Sequence, residues 1–172
     1  YANDTNSIQR KSSTEISSET VAAWIGQTGT AQPNDPTGAV GLNHYVQMVN
    51  STSIRIYDKT GTVLQTKQLG DLWSPATANA GDPVVMYDKN ADRWFLAQFG
   101  GSGDHKIFIA ISTSPDPTGT YYTYTFNTPS FTDYPKFGVW HNGYYMTCNM
   151  VPNANPQIVY AFDRSAMLTG TF

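Results

Sequence analysis

The sequence predicts an all-β fold assembled from four-stranded antiparallel units. Three observations predict it. The triplet Thr-Gly-Thr recurs at 60–62, 118–120 and 169–171. Ahead of each triplet lie the same three segments in the same order: a stretch opened by Asp, an aromatic strand and an apolar strand. The composition agrees, with 11 Tyr, 14 Gly and 10 Pro in 172 residues: strand formers punctuated by turn formers.

Each unit reads as strand A, turn, strand B, loop, strand C and glycine turn. Strand A lies in "NDPTGAVGLN" (34–43), "GDPVVMYDKN" (81–90) and "TDYPKFGVWHN" (132–142), opened by Asp35, Asp82 and Asp133. Asn43, Asn90 and Asn142 mark the A–B turns, where a residue tolerant of positive φ serves a tight hairpin. Strand B follows as "HYVQMVN" (44–50), "RWFLAQFG" (93–100) and "GYYMTCNM" (143–150). Strand C is "SIRIYD" (53–58), "KIFIAIS" (106–112) and "QIVYAFD" (157–163). B and C read as continuous apolar runs, as strands covered on both faces do. The triplets are then one C–D turn made once per unit. A fourth strand follows in the first two units, "VLQTKQLG" (63–70) and "YYTYTFN" (121–127), and is missing from the third.

Four antiparallel strands repeating every roughly 40–50 residues mark a β-propeller blade. The expected arrangement is a partial propeller of about three blades, 34–80, 81–131 and 132–172, the last incomplete, after an N-terminal extension over 1–33. Within the extension "SSETVAAWIG" (17–26) suits a helical turn or a strand equally.

The segments "NDPTGAVGLNHYVQMVN", "GDPVVMYDKNADRWFLAQF", "IAISTSPDPTGTYYTYTF" and "TDYPKFGVWHNGYYMTCN" resemble a family of bacterial secreted β-propellers found in large surface proteins, whose function is poorly defined. The resemblance runs from about Asp35 to Gly170. It implies a secreted or cell-surface module and no particular chemistry. "SPDPTGTYY" (114–122) is also similar to the Asp-box turn of sialidase-type propellers, with Thr118 as one extra residue between Asp116 and Gly119. In those propellers the turn is structural.

Chemistry is sparse. A glycoside hydrolase uses paired carboxyl groups, and a sialidase adds clustered arginines. The two glutamates, Glu15 and Glu19, precede the repeats, and Arg10, Arg55, Arg93 and Arg164 share no repeat position. A sialidase-like hydrolase is therefore the enzymatic alternative to a non-catalytic module that binds glycans or proteins. Asp35, Asp82 and Asp133 would stand at one rim of a channel, either binding Ca²⁺ or a cationic ligand, or capping their strand entrances. "DKNAD" (88–92) offers Asp88, Asn90 and Asp92 in part of a calcium-loop spacing, without its glycine and distant glutamate. A hairpin turn explains it equally well, so no cofactor is expected beyond such a Ca²⁺. Trp73, Trp94 and Trp140 are candidate sugar platforms: Trp94 reads as core, and Trp73, in an inter-unit loop, as the exposed aromatic. Asn3 and Asn50 lie in glycosylation sequons. The single Cys148 reads as a buried small hydrophobe and excludes an internal disulfide.

With a net charge of −3 and ten scattered cations, no nucleic-acid stripe exists. No apolar run approaches the ~20 residues of a membrane helix. The first residues lack a charged-then-apolar leader, so an exported form is expected to be trimmed. Strand C of the third unit would carry an open edge, which aggregates unless covered. Its expected partner is a further blade of a longer chain, or a strand such as "SIQRKS" or "TVAAWIG" donated by the N-terminal extension or another copy, which would build an oligomer or filament.

Overall fold

The computed structural model describes residues 22–51, 53–152 and 157–171. They form three antiparallel sheets. Sheet one holds β1 (Thr37–Val40), β2 (His44–Met48), β3 (Ser53–Asp58) and β4 (Val63–Gln68). Sheet two holds β5 (Val84–Asp88), β6 (Arg93–Phe99), β7 (Lys106–Ser112) and β8 (Tyr121–Asn127). Sheet three has three strands: β9 (Phe131–Trp140), β10 (Gly143–Val151) and β11 (Ile158–Asp163). Every neighbour in a sheet is also the neighbour in sequence, and β1, β5 and β9 are the first strands of their sheets. A 3₁₀ turn at Leu69–Leu72 and a short helix α1 (Arg164–Thr169) complete the elements, and no helix is long and apolar enough to cross a membrane.

Sheet two is packed on both faces, which explains its unbroken apolar runs. Trp94 and Leu96 of β6, with Phe108 and Ala110 of β7, join Val46, Met48, Ile54 and Ile56 of sheet one. The alternate residues Phe95, Ala97, Phe99, Ile107, Ile109 and Ile111 join Tyr144, Met146, Cys148 and Met150 of sheet three. Small residues set the approach of sheets one and two. A Cβ at Gly41 would lie 2.7 Å from the Trp94 ring.

Sheet three departs from the expected apolar runs. Along β10, Tyr144, Met146, Cys148 and Met150 are buried while Tyr145, Thr147, Asn149 and Val151 are exposed. Strict alternation is the pattern of a sheet with one wet face. β11 repeats it, with Val159 72% exposed. Among the described residues β11 pairs only with β10.

Two of the three triplets make the expected turn. Asp58 Oδ1 accepts from the Thr60 and Thr62 amides at 2.8 and 2.9 Å and from the Thr60 hydroxyl, and Gly61 takes a left-handed φ of 91°. Asp116 Oδ1 accepts the Thr118 amide at 2.9 Å and its hydroxyl at 2.8 Å. The third triplet is a correction: it ends α1. Asp163 caps the helix by accepting from the Ala166 amide, and Gly170 closes it at φ 73°. Met167 is fully buried, and its carbonyl accepts the Tyr124 hydroxyl of β8 at 2.8 Å. α1 thus covers part of sheet two's last strand. At the A–B turn of sheet two the left-handed residue is Asp92, and neither Asn43, Asn90 nor Asn142 has positive φ.

The described part of the N-terminal extension is not a strand. Residues 22–32 run as irregular chain across the face of sheet one that points away from sheet two. Trp24 packs edge-on to Tyr45 and tilted on Tyr57, at 6.1 and 6.0 Å between ring centres. The Gln27 amide donates to Gln47 Oε1 at 2.7 Å, and its side chain donates to the Ser53 carbonyl at 2.6 Å. "SIQRKS" lies outside the described residues, as do the first two residues of "TVAAWIG".

Candidate functional site: the cavity between three proline turns

An X-Pro dipeptide stands just ahead of β1 and of β5, and a third lies inside β9, where the register with β10 shifts. Proline biases the preceding residue toward extended backbone. Here that residue is left-handed each time: Asp35 at φ 36°, Asp82 at 44° and Tyr134 at 51°. Non-glycine residues seldom adopt this conformation, and strained backbone clusters where a fold holds a site. The position equivalent to Asp35 and Asp82 is therefore Tyr134. Asp133 stands one residue earlier, inside β9 and opposite Asn149. The spacing of aspartates misled because the third unit inserts Tyr134 between Asp133 and Pro135.

A polar chain ties the turns together. Asn50 Nδ2 donates to Asp35 Oδ2 at 3.2 Å and to the Pro33 carbonyl at 3.0 Å. Asn50 Oδ1 accepts the Asp82 amide at 3.0 Å, and Asp82 Oδ2 accepts the Tyr134 amide at 3.0 Å. Two of the links cross between sheets, from Asn50 after β2 to Asp82 ahead of β5, and from Asp82 to Tyr134 in β9. Asp82 therefore does the capping work of an aspartate at a turn, on the neighbouring unit. Asn50, also a sequon residue, has its amide committed to this chain; Asn3 lies outside the described residues.

The turns enclose a cavity of about 420 Å³, lined by residues 35–37, 82–84 and 134–137. That is within the size of small-molecule sites, about 300–1,000 Å³. Its chemistry is mixed. Asp35 and Asp82 bring carboxylates, Thr37 a hydroxyl, Lys136 an ammonium, and Tyr134 a ring that is 56% exposed. The Lys136 ammonium sits 3.6 Å from the centre of the Tyr134 ring, a cation–π contact. Burial raises the Asp82 carboxyl above the usual carboxylate range. Repulsion from Asp133 and Asp35 adds to this, and the Tyr134 amide and Lys136 oppose it.

The other predicted residues fall elsewhere. Trp73 is a correction: it is 8% exposed and packs edge-on against Phe108 at 5.5 Å, because the 3₁₀ turn folds the inter-unit loop back onto β7. Its indole N–H is buried without a partner. Trp94 is core, as expected, and the exposed indole is Trp140, 65% exposed at the end of β9. Asp88, Asn90 and Asp92 do not converge. Asp88 is buried and accepts a two-pronged ion pair from Arg164, at 2.6 and 3.0 Å, with the Tyr144 hydroxyl at 2.8 Å. Burial pushes its carboxyl up, but the bonds from Arg164, Tyr144 and the Ala91 amide outweigh it and hold the group below its ordinary range. Asp92 accepts the Tyr87 hydroxyl, and Asn90 is exposed. Among the described residues no three acidic, histidine or cysteine side chains gather as a metal-binding group. Arg55 reaches Thr66, and Arg93 reaches the Ala91 and Asp92 carbonyls. Sequence reasoning missed Tyr134, Lys136 and the Asp88–Arg164 pair. The Tyr-Pro dipeptide signalled the first; nothing local signals a pair 76 residues apart.

Comparison of the chain with protein-family models, with curated proteins and with solved structures finds no match to any of them.

Proposed function

We propose that this chain is a non-catalytic extracellular binding module, its three sheets serving as blades of a β-propeller-type arrangement. The observation that carries the reading is the convergence of three left-handed X-Pro steps, one at the first strand of each sheet, on a single cavity. Propellers bind ligands at the mouth where their innermost strands begin or end, and β1, β5 and β9 are the strands concerned. The lining suits binding better than hydrolysis. Asp35 and Asp82 each have one oxygen engaged in holding the turns, and the described arginines stand on other elements. The secreted, bacterial setting rests on the sequence resemblance and composition. Because a fold hosts many activities, the site carries the argument. The test is to offer the purified chain fluorogenic glycosides, sialosides among them. No turnover is expected; turnover abolished by Asp35→Asn or Asp82→Asn would establish the hydrolase instead.

A second reading has its own observation. The outer edge of β11 is unpaired among the described residues, which suits strand addition from a further blade or another copy. Sedimentation of the chain across a hundredfold concentration range tests it: a growing series of oligomers supports strand donation, and a constant monomer opposes it.

A further inference from the structure

We infer that the cavity between the proline turns takes a neutral, hydroxyl-rich ligand, an uncharged glycan end, with Tyr134 as its stacking platform. This rests on the binding-module reading and names the ligand class. The argument is one of matching groups. A sugar ring presents vicinal hydroxyls, each both donor and acceptor, around two faces of C–H bonds. The cavity offers acceptors in Asp35 and Asp82, a donor in Lys136, a group of both kinds in Thr37, and the exposed ring of Tyr134. Asp35 Oδ2 and Asp82 Oδ2 are held by Asn50 and by the Tyr134 amide, so each carboxylate keeps its second oxygen for a ligand without disturbing the turns. Those bonds also fix the acceptors in advance, which lowers the ordering cost of binding.

The alternatives fit less well. A bare cation would compete with Lys136, whose ammonium sits over the Tyr134 ring and already acts electrostatically on Asp82. A divalent metal would want several convergent oxygens, and the described residues gather no such set. A strongly anionic ligand would meet Asp35 and Asp82. Three prolines, Pro36, Pro83 and Pro135, give the lining rigid apolar rings beside the polar groups.

The experiment uses the purified 172-residue chain and a panel of neutral, uronic-acid and sialylated oligosaccharides, with spermine and CaCl₂ as cationic probes, read by calorimetry. Binding of a neutral oligosaccharide is expected, unchanged by EDTA. Tyr134→Asn, which removes the ring but tolerates left-handed backbone, should weaken it about tenfold or more. Asp35→Asn should weaken it while leaving the melting temperature in place. Trp140→Ser, outside the cavity, should bind as the parent does. Neutral-sugar binding lost in Trp140→Ser and kept in Tyr134→Asn overturns this site but leaves a binding module standing. Binding of spermine, Ca²⁺ or only anionic glycans overturns the ligand class. No binding to any probe overturns the inference, while glycoside turnover would overturn the module itself.

Discussion

The Asp88–Arg164 pair is where one atom's partners matter most to stability. Arg164 reaches Asp88 from the end of β11, and the Tyr144 hydroxyl completes the carboxylate's shell. Removing one partner of a buried pair strands the other, at a cost of about 3–5 kcal/mol. Arg164→Met should therefore lower the unfolding free energy by about that amount, measured by urea denaturation at neutral pH. The sign with pH follows from the depressed Asp88 carboxyl. Its contribution is full above the unfolded-state value near 3.8 and is lost as pH falls through the lower folded value. The difference between the parent and Arg164→Met should thus shrink on acidification. Asp82 has the opposite sign. Its raised carboxyl opposes folding while ionised, and protonation as pH falls through the raised value relieves it. Asp82→Asn, which keeps an acceptor for the Tyr134 amide, should be more stable than the parent at pH 7 and lose that advantage in acid. Unfolding free energies of the parent, Arg164→Met and Asp82→Asn across pH 3–8 check both signs.

At the scale of elements, the two faces of sheet three should respond differently from those of sheet two. Phe95 is fully buried in β6, so Phe95→Ala should cost about 3–5 kcal/mol. Val159→Thr on the open face of β11 should stay within about 0.5 kcal/mol. A cost near that of Phe95→Ala would mean that the face is covered in solution. The turns differ in the same way. Gly170→Val should lower the melting temperature, since Gly170 is left-handed and a side chain there would meet the Tyr122 ring. This element scale was the most legible in the sequence. The strands fall where the repeats and the periodicity place them, because inside a sheet the local pattern and the tertiary packing ask for the same residues. Legibility failed where they part. The third Thr-Gly-Thr shares its letters with the other two, but Asp163 and the helix-forming "SAML" before it decide for a capped helix. Trp73 reads as loop and therefore exposed, yet its loop is pressed onto Phe108 by contacts no local pattern encodes. The cavity was half legible: Asp35 and Asp82 were found at the strand entrances, whereas Tyr134 took the third place meant for Asp133.

For the whole molecule, the two outer faces are finished differently. Sheet one's is overlaid by residues 22–32, with Trp24 against Tyr45 and Tyr57; sheet three's is alternating and wet. Trp24→Ala should destabilise by about 1–2 kcal/mol through the apolar area it uncovers, and dye binding to that face should rise. An unchanged unfolding midpoint would show that the overlay contributes nothing. Between these faces, β5 is pinned to sheet three at both ends. The Asp82 carboxylate, just before the strand, holds the Tyr134 amide, and Asp88, its last residue, holds Arg164 and Tyr144. Apolar layers resist separation but are nearly indifferent to sliding, since dispersion and burial have no preferred direction. Two directional bonds at the ends of one strand remove that freedom, as two dowels fix a plank that glue alone would let creep. Sheets two and three should accordingly resist shear as a single plate under mechanical load. Sheet one meets sheet two at the entrance of β5 through Asn50, along that strand through the long Thr37–Val85 contact at 3.5 Å, and at its exit through the Tyr87 and Trp94 rings packed on Gly41. Without a charged bond like Asp88–Arg164 among the described residues, it is the layer that should slip first.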